Sequence, residues 1–523
     1  MALTVSQAVW LTGGKYTGDN EMRKTDQLLI VASFCLAVWF LFPIEQIPWA
    51  NGYGWDGSIY GSMTERLWQV LKTKQVNEYY GCRILPCIAA RLLIDLCGQA
   101  PTQTNVIFAF RVCNAILAIA GTITWLGIAK QLKLSSHLTI TGWMGLFINA
   151  FLGKHLSYYP VLTDCYALVF GLLLVRLCLS ANLPGLFLVS LAAGFTWPHA
   201  NTFGAVLIAI LPCTAAQEIS KSVFRFPVKT FFGLVILCAA VIGFTFVLGS
   251  QASVAGLFGI RISRIRQIAT HLPNLALWSV AIFELIPKDY VKGCFASLFQ
   301  LKNLKYFASA ALLLIAHKLI LNAFINPKLP PPSYLHPWHK ILLLGSVSNG
   351  QIFSPIVSHV FLAGPLPILA AVIWNRVCQS ARTLNGGFVF GIFCCVTSWL
   401  QAETRFITLW YPFAITATCI GLSAIKLSNR SRLAFFLFTI YLCGFWRILN
   451  PVSLVDNSFR ILVPQLPKYW NAAADNYLRI FGGFRGFLWP DFLFYLLVSS
   501  IAFLVLKSAL QKDMQHSEAT QAG

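Results

Sequence analysis

The sequence predicts an all-α polytopic membrane protein with about 12–14 transmembrane segments and a long extracytoplasmic first loop carrying interfacial helices. Three observations predict it. Hydrophobic residues make up 57% of the 523-residue chain and charged residues only 11%, far less charge than a soluble protein of this length carries. Apolar runs of about 17 residues or more recur between Gln27 and Lys507, each long enough to cross a hydrocarbon core of about 30 Å. The short alternating segments of a membrane β-barrel do not occur.

Residues 1–26 are polar and mixed in charge, which makes them a cytoplasmic tail rather than a cleavable signal. Lys15, Arg23 and Lys24 precede the first span, 27–44, and favour a cytoplasmic N-terminus. The loop 45–105 is then external. From Asp56 onward, Ile59, Met63, Leu67, Val70 and Leu71 follow helical spacing, with Arg66, Lys72 and Lys74 on the other side. That pattern describes an amphipathic helix at the interface. A second helix over 84–97 has Pro86 in its first turn.

Spans follow at 106–129, 138–156 and 165–178, with Lys130, Lys133 and Arg176 at inner ends. The apolar stretch from Leu183 to Pro212 is interrupted by Trp197-Pro198-His199. Proline favours a break there, and a hairpin places Lys221, Arg225 and Lys229 in the cytoplasm whereas one long helix places them outside. The hairpin is the expectation. A span at 230–248 leads to a second external segment, 249–307, whose semi-apolar piece 275–286 reads as an interfacial helix. Spans at 308–323, 341–360, 362–374, 387–400, 406–424 and 433–449 come next. Lys328, Lys340, Arg376, Arg382, Lys426, Arg430 and Arg432 fall inside. A third external loop, 450–490, precedes the last span, 491–506, and a polar tail, 508–523, inside. Residues 27–507 thus read as one transmembrane domain.

The net charge of +21 is spread over short links, where Lys and Arg act as topology signals, so no nucleic-acid partner is expected. The 15 cysteines form no CxxC pair and no Cys/His cluster at metal spacing. Most read as small packing residues, although Cys82, Cys87 and Cys97 lie close enough in sequence to form one disulfide. No internal repeat is evident, which counts against an inverted-repeat transporter.

With this topology the acids in apolar surroundings gather on one side. Asp56, Asp164 and Glu403 sit at external ends of spans or in the external loop, and Arg83, Lys154, His155, His199 and Arg405 share that side. Ionisable groups near a bilayer are costly, so such a set is a candidate site. Plain structural roles compete. Asp56 and Asp164 suit helix caps, Glu403 and Arg405 suit a surface ion pair, and the histidines suit a wet interface. Tyr53, Trp55, Tyr79, Tyr80, Tyr158, Tyr159 and Trp197 suit an aromatic belt. No nucleotide loop or HExxH motif occurs. The acids lack the spacing of a metal cage, though a divalent cation bridging a carboxylate and a phosphate is compatible with them.

Four local patterns carry a resemblance: GWDGSIYG at 54–61, YYGCRILPCIAARLL at 79–93, LTDCYALVFGLLLV at 162–175 and QAETRFITLWYPF at 401–413. In this order and on one side, they resemble the glycosyltransferase C superfamily of polytopic membrane enzymes. The chain departs from the pattern in having one arginine, Arg83, where a second usually follows, and Trp197 where a basic residue often precedes the proline. The resemblance implies an inverting sugar transferase, in a bacterial plasma membrane, that draws on a polyprenyl-phosphate-linked donor at an extracytoplasmic site. Asp56 would be the base, with Asp164 and Glu403 assisting. Arg83, Lys154, His155, His199 and Arg405 would bind substrate and phosphate. The sidedness agrees, because an external site has no access to cytoplasmic nucleotide sugars. A transporter or flippase of a lipid-linked or anionic solute is the competing expectation.

Overall fold

The computed structural model describes residues 19–43, 46–47, 49–149, 152–153, 156–213, 276–298, 300–329, 359–360, 363–398, 407–423, 425, 427–442 and 489–522. Among these residues all regular structure is helical. Helix α1 is Asp19–Leu41. The loop after it holds α2 (Trp55–Glu65), α3 (Leu67–Thr73), the single turn α4 (Glu78–Gly81) and α5 (Ile84–Leu96). Then come α6 (Gln103–Gln131), α7 (Ser136–Phe147), the turn α8 (Leu156–Tyr158), α9 (Asp164–Leu179), α10 (Leu183–Gly194) and α11 (Ala200–Ile210). The later helices are α12 (Ala276–Leu285), α13 (Lys288–Leu298), α14 (Leu304–Phe324), α15 (Leu366–Val372), α16 (Trp374–Leu384) and α17 (Gly386–Ser398). The last are α18 (Tyr411–Ser423), α19 (Asn429–Leu442) and α20 (Trp489–Ala522).

Among the described residues, three helical stretches are long and apolar enough to cross a membrane: Lys24–Leu41, Gln103–Gln131 and Leu301–Phe324. Their outward faces are apolar. Leu28, Val31, Phe34 and Val38 of α1 and Leu312, Ile315 and Leu319 of α14 are all exposed, an arrangement that suits hydrocarbon rather than water as the surrounding solvent.

Helices α1 and α6 run antiparallel. Lys130 Nζ meets Asp26 Oδ2 at 2.6 Å at one end. At the other, Arg111 donates to Gln46 Oε1 at 2.8 Å and the Ile47 amide donates to the Tyr158 carbonyl at 3.0 Å. The loop carrying Asp56 lies at this second end. The expected single helix after Asp56 is broken at Arg66 (φ −112°, ψ 25°), which divides α2 from α3. Met63, Leu67 and Val70 are nevertheless buried, as their spacing requires. The third expected span stops at Phe147. There the Asn149 side chain donates to the Gly145 and Leu146 carbonyls and accepts from the Leu152 amide, taking over bonds that a continuing helix would make.

The expected hairpin at Trp197-Pro198-His199 is present. Helices α10 and α11 pack antiparallel, and a methyl group placed on Gly204 would lie 2.3 Å from Ser190 Cβ. The bend sits at the Asp56 end, where the Leu85 amide donates to the Phe195 carbonyl at 2.9 Å. The far end of α11 leads to Cys213, whose carbonyl accepts from the Gly386 amide.

One part of the expected topology is corrected. The described portion of 249–307, placed above on the Asp56 side, lies at the opposite end. Ser297 Oγ donates to the Pro212 carbonyl at 3.2 Å, and Arg382 donates to the Glu284 carbonyl. Helix α14 then runs back toward Asp56. Its buried His317 contacts the Gly194 carbonyl at 3.1 Å and the Asn201 side-chain Nδ2 at 3.0 Å. Beyond its end the Asn326 amide donates to the Val76 carbonyl at 2.8 Å. Lys328 therefore belongs with the Asp56 loop and not with the inner links. The cause is packing: His317, Leu321 and Ile325 on α14 and its end fit against the α10–α11 bend and Gly81, whichever way flanking charges point. The links holding Arg382 and Arg432 do lie at the end opposite Asp56, since Asn385 donates to the Cys178 carbonyl and Arg432 contacts His137. The polar tail continues α20 as helix, with Asp513 accepting from the Ser428 amide and Ser431 hydroxyl. The span expected at 230–248, residues 341–358 of the span expected at 341–360 and residues 450–488 of the loop expected at 450–490 lie outside the described residues.

Candidate functional site

The stretch Gly54-Trp55-Asp56-Gly57 turns the chain into α2. Gly54 has φ +73°, a conformation that disfavours any side chain. The Tyr159 ring occupies the space above it, so that a methyl group on Gly54 would fall 2.4 Å from that ring. One on Gly57 would meet the same ring at 2.7 Å and the Val161 carbonyl oxygen at 2.9 Å. Tyr159 is fully buried, and its hydroxyl accepts the Gly57 amide hydrogen at 2.7 Å. This satisfies one of the amides that the first turn of any helix leaves without an intrahelical partner.

Asp56 is the second residue of α2. Gly54, not Asp56, occupies the cap position, so the capping role that competes with chemistry does not describe it. Its place in the first turn still favours a carboxylate through the helix dipole. Arg83 reaches it from the turn between α4 and α5, with an Arg83 Nη1 to Asp56 Oδ2 distance of 3.9 Å. That is an electrostatic contact, longer than a hydrogen bond. The same guanidinium nitrogen donates to the Tyr60 hydroxyl. Aromatic faces enclose the cation: its central carbon lies 4.5 Å from the Tyr79 ring centre, 5.4 Å from Trp197 and 5.8 Å from Tyr60. Rings so placed attract a guanidinium more strongly when water is excluded. The Arg83 side chain is 3% exposed and that of Asp56 is 21% exposed. The carboxylate is partly exposed, and the guanidinium is walled in behind it.

Supporting contacts fix the rest of the loop. The Tyr53 hydroxyl donates to Glu65 at 2.6 Å, with its pKa pushed up by burial and then by that carboxylate. Lys318 of α14 meets Glu78 of α4 at 2.8 Å. Cys82, Cys87 and Cys97 are free thiols, so the disulfide considered above is not formed. Burial and then Glu78 push Cys82 up to about 11, and burial pushes Cys87 up to about 12. Neither offers a thiolate nucleophile near neutral pH.

Asp164 opens α9, is 1% exposed, and follows the segment that supplies Tyr159 and Val161 to the Asp56 turn. His199 is exposed, adopts φ +67° and occupies the cap position of α11, two residues after Trp197. Lys154, His155, Glu403 and Arg405 lie outside the described residues. Of the eight residues expected at the site, the structure thus brings Asp56 and Arg83 into contact and sets Asp164 and His199 on adjoining segments. Tyr60 belongs to the GWDGSIYG motif, but its contact with Arg83 and the support given by Tyr159 were not expected, and Trp197 was assigned to a belt. The available signal was the pair of glycines flanking Asp56, which leaves room for one large ring. Among the described residues, no group of three His, Cys, Asp or Glu side chains is arranged to hold a metal ion.

No protein-family model matches the chain, and no curated protein or solved structure matches it.

Proposed function

We propose that this chain is a multi-pass membrane glycosyltransferase of the plasma membrane, moving a sugar from a polyprenyl-phosphate donor to an acceptor hydroxyl on the extracytoplasmic side. The observation that carries this reading is the partly exposed Asp56 carboxylate set against a buried, aromatic-walled Arg83. A carboxylate held this way is kept oriented, which is what a base requires. Asp56 takes the proton of the acceptor hydroxyl as that oxygen attacks the anomeric carbon. The bond from that carbon to the phosphate oxygen breaks, and the lipid phosphate leaves with its electron pair. One displacement inverts the centre, and no enzyme nucleophile is needed. This agrees with the raised thiols nearby.

Arg83 takes a different role from the one its motif suggests. At 3% exposure it positions Asp56 and does not reach a phosphate. The leaving charge falls instead to Arg405, Lys154, His155 and the exposed His199, with Asp164 and Glu403 orienting the acceptor. The topology of about 12–14 spans belongs to the same proposal.

The test is complementation of cells lacking the chain with the wild type or Asp56→Asn, read by glycan composition of the cell envelope. Asp56→Asn is expected to reach the membrane in normal amount and to restore none of the missing glycan. Restoration by Asp56→Asn removes Asp56 from the mechanism. Transfer by detergent-solubilised protein, where no compartments exist, separates an enzyme from a transporter.

A further inference from the structure

At the end of the bundle away from Asp56, two cysteines distant in sequence meet. Cys213 follows α11 and Cys294 lies in α13. The Cys213 sulfur is 3.8 Å from the Cys294 carbonyl oxygen, and both residues line one cavity. Neighbouring bonds anchor both partners, since Ser297 of α13 donates to the Pro212 carbonyl at 3.2 Å and Gly386 donates to the Cys213 carbonyl. The pair also lines an apolar cavity of about 250 Å³ with Tyr290, Phe295, Phe390 and Phe393. A reagent can therefore approach sulfur atoms that would otherwise be sealed in a helix interface.

We propose that Cys213 and Cys294 form a redox-active dithiol that closes to a disulfide by exchange with an organic disulfide entering this cavity. This inference is independent of the glycosyl-transfer reading.

The chemistry of the pair divides the roles. The hydrogen bond from Cys213 holds the Cys294 thiol down to about 7, with Tyr290 helping and burial opposing, while the same bond and burial push Cys213 up. A thiol that titrates near ambient pH is the best attacker in exchange. The Cys294 thiolate attacks one sulfur of the reagent, the reagent's S–S bond breaks, and one thiolate leaves. Cys213 then loses its proton and attacks the Cys294 sulfur, displacing the second thiolate. Two electrons pass from the protein's two sulfurs to the reagent's two, and the reagent ends as two thiols. At the end of the bundle that the proposed topology gives to the cytoplasm, the pair rests reduced and closes only under oxidising conditions.

The probe is dithiodipyridine on the detergent-solubilised full chain, followed by proteolysis and mass spectrometry. The wild type is expected to yield the cross-linked peptide pair containing Cys213 and Cys294, reversed by dithiothreitol, with two pyridinethiones released for each cross-link. Cys213→Ser is expected to stop at a stable mixed disulfide on Cys294. Cys213→Ala, which removes the donor that a serine hydroxyl would keep, is expected to react roughly tenfold more slowly at neutral pH, because the thiolate fraction falls as the Cys294 thiol returns to its ordinary range. Wild-type protein in which both sulfurs carry separate adducts and no cross-link overturns the proposal. That reading needs no variant to fold.

Discussion

The Asp56 carboxylate and the Arg83 guanidinium are 3.9 Å apart, yet the first is 21% exposed and the second 3%. On the proposed reading, removing Arg83 acts on substrate only through Asp56. Arg83→Lys keeps the charge but loses the planar group that fits between Tyr79 and Trp197. It is expected to lower transfer by about 10² through misplacement of the base. In a double-mutant cycle with Asp56→Glu, which keeps a carboxylate but displaces it from Arg83, Arg83→Met should cost little further activity, which is coupling between contacting residues. Initial rates of the four proteins decide it. An equal loss from Arg83→Met in both backgrounds gives Arg83 a role of its own.

Tyr159 supplies a second test. Tyr159→Phe keeps the ring above Gly54 and Gly57 but removes the oxygen that accepts the Gly57 amide. A buried amide left without its partner costs about 1–3 kcal/mol. Here the cost falls on the first turn of α2 and thus on Asp56. Activity is expected to fall further than the amount of folded protein. Gly57→Ala should be more severe, because its methyl group meets a backbone carbonyl that cannot rotate away. Thermal unfolding in detergent alongside transfer rates separates the two effects. Equal loss of stability and activity makes Tyr159 a packing residue only.

These details bear on how much the sequence discloses. Apolar length identified the helices 103–131 and 304–324 because a spanning helix advertises itself residue by residue. Spacing likewise marked Met63, Leu67 and Val70 as inward. Asp56 and Arg83 stood out because charge is rare in this chain. What placed them together was not legible: Arg83 folds back under α2 onto Tyr60, and GWDGSIYG carries that tyrosine with no sign of its distant partner. The direction of α14 was also misjudged. Flanking lysines are a weak signal beside the shape fit of His317 and Leu321 on the α10–α11 bend. Glu403 and Arg405, read with equal weight, lie outside the described residues.

The α10–α11 hairpin depends on one close approach. A methyl group on Gly204 would fall 2.3 Å from Ser190 Cβ, so Gly204→Ala forces the helices apart. Overpacking of this kind costs about 1–3 kcal/mol. The bend it would disturb carries Trp197 onto Arg83, so activity should fall with stability. Ser190→Gly combined with Gly204→Ala moves the side chain to the opposite helix and should recover most of the loss. A double variant no better than Gly204→Ala alone means that the clash is not the cause.

The corrected direction of α14 makes a prediction about sidedness. The helix has 21 residues, about 30 Å at 1.5 Å per residue, so its two ends are separated by the thickness of a hydrocarbon core. Lys328 follows the end that packs on Val76 and Gly81, and Lys292 precedes the other end. Lys74, Lys292 and Lys328 are all exposed. Single cysteines at the three positions, in a background with accessible native thiols replaced, can be treated with a membrane-impermeant maleimide on intact cells. Lys74→Cys and Lys328→Cys are expected to react together, and Lys292→Cys only after the membrane is opened. Had flanking charge governed the topology, Lys74→Cys and Lys292→Cys would react together and Lys328→Cys would be protected. The opposite pairing follows here because the buried contacts of His317 and Ile325 outweigh what lysines near a membrane boundary contribute.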